Sequence, residues 1–262
     1  NYDNVAIDTF AYQYTRKAPS AVVPRDDIII RLCSIECCFG HTLDDESCER
    51  NKTFMEDLNE WSKICDRLYI WNYNLNCDES INIYANFGTL QRNTQIFYEH
   101  NVKGIYQQGV FYISESDAEF GEMKTYLLSK LMQNPYLDYD KEAEGYLIGV
   151  YGPGGIYLKE FIDIVTEHAV SPIRHLYLEE DSRFSLLSMT TKDVNRCNEL
   201  WEMAKAAAEK AAVKTGYAFT TTLAAENATA EADGSATTDV ATGILEGFLE
   251  YVKKNNTADT CR

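Results

Sequence analysis

Over the first 110 positions, short apolar runs alternate with stripes at helical spacing. Val5-Ala6-Ile7-Asp8-Thr9-Phe10-Ala11-Tyr12 and Ile28-Ile29-Ile30-Arg31-Leu32 read as two strands, separated by a turn region between Pro19 and Pro24. Phe54, Leu58, Trp61, Ile64 and Cys65 recur three and four residues apart, which gathers them on one helix face. Leu68-Tyr69-Ile70-Trp71 predicts a third strand, Leu90 to His100 a second helix, and Val102-Lys103-Gly104-Ile105-Tyr106 a fourth strand. Strands separated by helices imply right-handed crossovers and a parallel sheet, and such a sheet needs cover on both faces. Four strands with two intervening helices neither close a barrel nor shield both faces. The sheet is therefore expected to be completed from outside these 262 residues or covered by the rest of the chain.

The rest of the chain reads as helical. Ser116-Asp117-Ala118-Glu119 has the spacing of a capping box and predicts a helix through Leu127, Leu128 and Leu131 to a stop at Asn134-Pro135. Further helices are predicted at about 140–151, at about 156–169 and from Thr191 to about 212. Residues 215–243 are rich in Thr, Ala and Gly, and read as a linker before a last helix from Val240 to Val252. The expected organisation is an α/β part over 1–115, a helical region over 116–214, and a linker with a terminal helix over 215–262.

Composition narrows the partners. Apolar residues make up 45% and aromatics 12%, enough for a packed core, while the formal charge is -17. Without a basic cluster to offset that charge, neither a nucleic acid nor an anionic membrane surface is expected as a partner. No apolar run approaches the ~18 residues that span a bilayer. Six of the eight cysteines, Cys33, Cys37, Cys38, Cys48, Cys65 and Cys77, lie close together, which suits an extracellular or periplasmic protein.

Ligands of parallel α/β proteins bind where the loops after the strands converge. That rule selects Tyr12 to Arg16, Ser34 to Cys37, Trp71-Asn72-Tyr73 and Gln107-Gln108-Gly109. Aromatic planes with amides, a carboxylate and an arginine suit a sugar, whose C–H faces stack on rings while its hydroxyls need directional partners. Tyr12, Tyr14, Trp71 and Tyr73 are the candidate platforms; Arg31, Asn72 and Gln107 are the candidate hydrogen-bonding groups. Glu36 is the candidate catalytic acid. A carboxylate beside a buried strand costs several kcal/mol unless it is paired or lines a wet cleft, and burial would suit it to general acid or base work. The competing reading is a structural ion pair with Arg16 or Arg31.

Cys33, Cys37, Cys38 and His41 raise the question of a metal. A strand continued through them would send Cys33 and Cys37 to one face and Cys38 to the other, and paired zinc knuckles are missing. Buried thiols, or a disulfide to Cys48, Cys65 or Cys77, are expected instead. Gly152-Pro153-Gly154-Gly155 reads as a turn, since no strand precedes it and no Lys-Ser/Thr follows. No cofactor and no metal is expected.

The stretches Ile7 to Lys17, Ile29 to Phe39, Tyr69-Ile70-Trp71, Val102 to Ile105, Tyr126 to Leu131 with Asn134-Pro135, and Gly149 to Gly152 resemble the bacterial glycoside-hydrolase-like proteins grouped as domain of unknown function 4838. The resemblance covers residues 1 to about 205. It implies a relative of the hexosaminidase and alpha-glucuronidase type, with a (β/α)8 TIM-like barrel followed by a helical region. The chain would then be the C-terminal half of the barrel plus its tail, with the sheet completed by an N-terminal half or by another chain. Two positions depart from the family pattern: Asn72 in Trp71-Asn72-Tyr73 and Gln107 in Tyr106-Gln107-Gln108-Gly109 stand where the family has carboxylates. An amide keeps the shape and hydrogen bonds but moves no proton, so the expectations are a glycoside-hydrolase-like protein, a saccharide binder that does not cleave, and a structural subunit without a ligand whose sheet is completed by missing residues or a partner chain.

Overall fold

The computed structural model describes residues 5–75, 83–109, 120–169, 175–178 and 189–215, with the backbone alone for 212–215. The expected capping box at Ser116, the linker after 215, the helix from Val240 and Cys77 lie outside the described residues. Two compact units emerge, one of residues 1–139 with 169–185 and the other of 140–168 with 186–262.

In the first unit, β1 (Ile7–Ala11), β2 (Ile28–Cys33), β3 (Leu68–Tyr73) and β4 (Gly104–Gln108) form one parallel sheet in sequential order. Helix α1 (Glu49–Ile64) connects β2 to β3, and α2 (Leu90–Glu99) connects β3 to β4. Alternation along each strand divides the sheet into two faces. One face presents Ile30, Leu32, Leu68 and Ile70, which are buried in a single cluster with Phe54, Leu58 and Trp61 of α1 and Ile96 and Phe97 of α2. Each of these large apolar side chains contributes ~1.5–3 kcal/mol on burial, so this face holds the unit together. The apolar stripe read from the sequence is thus the α1 surface that packs on the sheet.

The other face differs in character. In register across it lie Phe10, Arg31, Tyr69 and Gly104, then Cys33, Trp71 and Tyr106. Phe10 is 52% and Tyr106 45% exposed, and Arg31, Tyr69 and Trp71 are half-buried. Gly104 is required here: a Cβ at that position would stand 2.5 Å from the Tyr69 ring, which lies across the β4 backbone. The fourth strand begins at Gly104 rather than Val102, because Val102 N–H still closes the end of α2 on Phe97 O (3.1 Å). Helix α3 (Gly121–Gln133) also belongs to this unit, and its Leu128 and Leu131 pack with Leu90.

The second unit contains α4 (Tyr139–Tyr151) beyond its first residue, α5 (Gly155–Ala169) up to His168, and α6 (Thr191–Thr215). Phe161 of α5 meets Trp201 of α6 edge to face at 5.5 Å, and Arg196 of α6 binds both carboxylate oxygens of Glu160 at 2.8 and 3.0 Å. The glycine turn between α4 and α5 has a packing reason. A Cβ on Gly155 would fall 2.4 Å from the Leu147 carbonyl, and one on Gly154 would fall 2.7 Å from the Ala204 carbonyl oxygen. Both obstacles are backbone. Gly155→Ala is therefore expected to cost about 1–3 kcal/mol by overpacking, measurable as a lowered midpoint in urea. Among the described residues no helix is long and apolar enough to cross a membrane.

Candidate functional site

The carboxyl ends of the strands bring the candidate residues into view, but not as one cluster. β2 ends at Cys33; Ser34 N–H donates to Trp71 O (3.1 Å), and Cys37 N–H folds back onto Ser34 O (2.9 Å). Ile35 and Glu36 occupy the tip of the turn so formed. Glu36 is consequently not buried beside the strand, as its sequence context suggested: its side chain is 47% exposed. Arg16 Nη1 donates to Glu36 Oε2 at 2.8 Å, and Arg16 Nε donates to Asp57 Oδ2 at 2.6 Å. The guanidinium and the Asp57 carboxylate are nearly buried, at 11% and 9% exposure, while Trp61 Nε1–H donates to Arg16 O (2.7 Å). Of the two arginines weighed as structural partners, Arg16 holds Glu36 and Arg31 pairs with Asp8.

The remaining candidates fall on opposite sides of the sheet, because neighbours along a strand alternate. Trp71 and Arg31 share the face that α1 and α2 do not cover. The Trp71 ring lies 4.4 Å from Tyr106 and 5.5 Å from Phe10, its Nε1–H donates to Gln108 Oε1 (2.8 Å), and the Arg31 guanidinium sits 5.9 Å from its centroid. The hydrogen bond to Asp8 raises the Arg31 pKa still further, so this cation is permanent. Tyr12 is half-buried and Tyr14 is 94% exposed on the short 3-10 turn after β1. Tyr73 is buried, edge-on to Phe39 at 6.2 Å, and serves the core.

Asn72 and Gln107 face the other way and bind one another. Ser34 Oγ donates to Asn72 Oδ1 (2.7 Å), Asn72 Nδ2 donates to Gln107 Oε1 (2.9 Å), and Asn74 Nδ2 donates to the same oxygen (2.7 Å). Asn86, Thr89 and Asn93 line a narrow crevice together with this amide cluster. Among the described residues, Asn74 Oδ1 and Asn86 Oδ1 are buried there without a hydrogen-bond partner. Sequence reading passed over Asn74 and Asn86, although the alternation Asn72-Tyr73-Asn74 was a signal that polar side chains continue along one side of the chain beyond the strand. It also passed over Tyr106, which packs on the Trp71 ring at 4.4 Å, whereas Gln108, in the selected stretch Gln107-Gln108-Gly109, accepts the Trp71 N–H.

The cysteines decide one expectation and correct another. Of the two alternatives, buried thiols and disulfides, the described residues show the first: Cys33, Cys37, Cys38, Cys48, Cys65 and Cys197 are free and buried. Burial pushes the Cys33 thiol up to about 11, against the pull of Arg31, which leaves it protonated and a poor nucleophile at neutral pH. The parity argument against a metal assumed a strand running past Cys33; with a turn at Ser34–Cys37, Cys38 instead comes together with His41, Cys48 and His175.

A family model described as a domain of unknown function, DUF4838, matches residues 1–163, and the chain belongs to that family. No curated protein and no solved structure matches the chain.

Proposed function

We propose that this DUF4838 chain recognises a saccharide on a barrel-type sheet and does not hydrolyse it. The observation that carries the reading is the Trp71 platform: a half-buried indole on the helix-free face, flanked by Tyr106 at 4.4 Å and Phe10 at 5.5 Å, with its N–H fixed by Gln108 and a cation alongside. A fixed aromatic face of this kind stacks on the C–H face of a pyranose with little loss of side-chain freedom. The Arg31 guanidinium and the Gln108 amide on the same face supply hydrogen-bonding chemistry of the sort hydroxyl groups use.

Strand order supports the barrel part of the reading. All four strands are parallel and sequential, with α1 and α2 packed on one face, which is the winding of (β/α)8 barrels; doubly wound sheets reverse strand order and place helices on both faces. Ile7 and Phe10 on edge strand β1 are 57% and 52% exposed, which supports continuation of the sheet by further strands of the same protein or of a partner chain.

Two features favour binding over cleavage. Glycoside cleavage ordinarily uses two carboxylates ~5 to ~9.5 Å apart. Glu36 is held by Arg16 at an exposed turn. The positions where the resemblance implies acids carry Asn72 and Gln107, whose amides are hydrogen-bonded to each other.

Titration of the full chain with a panel of soluble oligosaccharides tests this, alongside an assay for new reducing ends. Expected are saturable binding that weakens about tenfold in Trp71→Ala, unchanged binding in Glu36→Gln, and no reducing ends. Reducing ends that appear with the wild-type chain and vanish in Glu36→Gln would restore the hydrolase reading. A panel without any binder would remove the saccharide.

A further inference from the structure

Cys38 and His41 lie on the loop after β2, Cys48 is the N-cap of α1, and His175 begins the segment 175–178; all four belong to the first unit. One sulfur or ring nitrogen from each lies within 4.8 Å of the other three. Cys38 Sγ is 3.1 Å from His41 Nδ1, and Cys48 Sγ is 3.7 Å from His175 Nδ1. An ion bonded at ~2.3 Å to sulfur and ~2.0 Å to nitrogen holds sulfur and nitrogen about 3.5 Å apart in a tetrahedron. The two separations lie on either side of that value. The His41 and His175 rings approach at 5.0 Å with 55° between their planes, so they converge rather than stack.

We propose that Cys38, His41, Cys48 and His175 hold one Zn2+ in a closed Cys2His2 site that fixes the loop after β2. The donors choose the metal: two thiols and two imidazoles suit a borderline-soft ion and lack the oxygen atoms that calcium or magnesium require. Four protein ligands leave no open position, and Cys38, His41 and Cys48 are buried with His175 half-buried, so the site is structural rather than catalytic. On binding, the two thiols release their protons and the metal takes the sulfur lone pairs.

The surroundings support the same assignment independently of the four side chains. Leu176 N–H donates to Cys38 Sγ at 3.3 Å, and the Gly40 and His41 amides are also directed at that sulfur, the arrangement that holds a metal-bound thiolate. Asn51 is fully buried and devotes its whole amide to the loop. It accepts from Cys38 N–H at 2.8 Å and donates to Cys38 O, His41 O and Thr42 O at 3.0, 3.1 and 3.0 Å. Phe39 N–H donates to Leu176 O (2.8 Å), which ties the segment bearing His175 to the loop bearing Cys38. The His175 ring in turn stacks on Tyr177, over which the Arg50 guanidinium sits at 3.7 Å. The ligand frame is thus held by contacts other than those to the ion itself.

The full chain, purified under reducing conditions without a histidine tag, carries the test. Its zinc content is measured, and the zinc is then exchanged for Co2+. Expected are about one equivalent of zinc per chain, and a Co2+ spectrum with intense tetrahedral ligand-field bands and a thiolate charge-transfer band. Cys38→Ser and His175→Ala should each lose the equivalent and melt earlier, while Cys65→Ala, a buried thiol outside the cluster, should keep it. Should the ligand variants fail to fold, the wild-type Co2+ spectrum decides alone. No zinc on the reduced chain, a six-coordinate Co2+ spectrum without thiolate charge transfer, or zinc retained by a Cys38→Ser/Cys48→Ser double variant would each overturn the proposal.

Discussion

Arg16→Ala is expected to lower the free energy of unfolding by about 3 kcal/mol or more, whereas Glu36→Gln should cost about 1 kcal/mol or less. The guanidinium joins two carboxylates in different surroundings. Asp57, on α1, is nearly buried and receives Arg16 Nε at 2.6 Å; Glu36 is half exposed and receives Nη1 at 2.8 Å. Removing the arginine leaves the Asp57 charge inside the protein with its partner gone, and that penalty governs the outcome. Neutralising Glu36 removes one bond at a wet surface, where solvent replaces much of what is lost. Urea unfolding of the two variants, with Asp57→Asn and the Arg16→Ala/Asp57→Asn double variant to complete a cycle, measures the difference. Equal losses in Arg16→Ala and Glu36→Gln would show that Glu36 is structural, and Glu36→Gln would then no longer be a clean probe of chemistry.

The second large effect concerns the amide cluster. Asn72→Asp converts the donor facing Gln107 Oε1 at 2.9 Å into an acceptor, in a side chain that is 6% exposed. At neutral pH the new carboxylate meets a carbonyl oxygen across that distance and is partly desolvated, for a cost of about 1–3 kcal/mol. The protonated acid restores a donor, so the folded state should raise the pKa of the introduced carboxyl above its unfolded value of ~3.9. For an acid with a raised folded pKa, the folded state binds more protons than the unfolded one. The penalty is accordingly absent below the unfolded pKa, grows as pH rises through it, and levels off above the folded pKa. Stability measured from about pH 3.5 to 7 should diverge from wild type as pH increases. A penalty independent of pH would mean that Asn72 contributes shape and no hydrogen bond.

The sheet was legible because its strands are written in short apolar runs. Ile28-Ile29-Ile30 and Leu68-Tyr69-Ile70 are buried on one side, and the α1 stripe from Phe54 to Trp61 is what buries them. Strand ends were harder to read, since no residue type marks where a ladder stops. β2 stops at Cys33 because the next residues turn, and that single step moved Glu36 from the buried strand to solvent and brought Cys38 to His41. His175 could not have been found from spacing: it lies 127 residues beyond Cys48, and tertiary packing alone unites them. The split of the candidate residues between two faces was implicit in the alternation Trp71-Asn72-Tyr73, and pairing with Tyr106 and Gln107 makes it explicit.

The platform at Trp71 bears the functional account most directly, and its indole N–H can be followed by itself. In 1H–15N spectra of the full chain, assigned by comparison with Trp71→Phe, that signal is predicted to shift saturably as a bound oligosaccharide is added, while the Trp61 signal, held by Arg16 O, stays in place. A binding oligosaccharide that leaves the Trp71 signal unmoved would contradict the account.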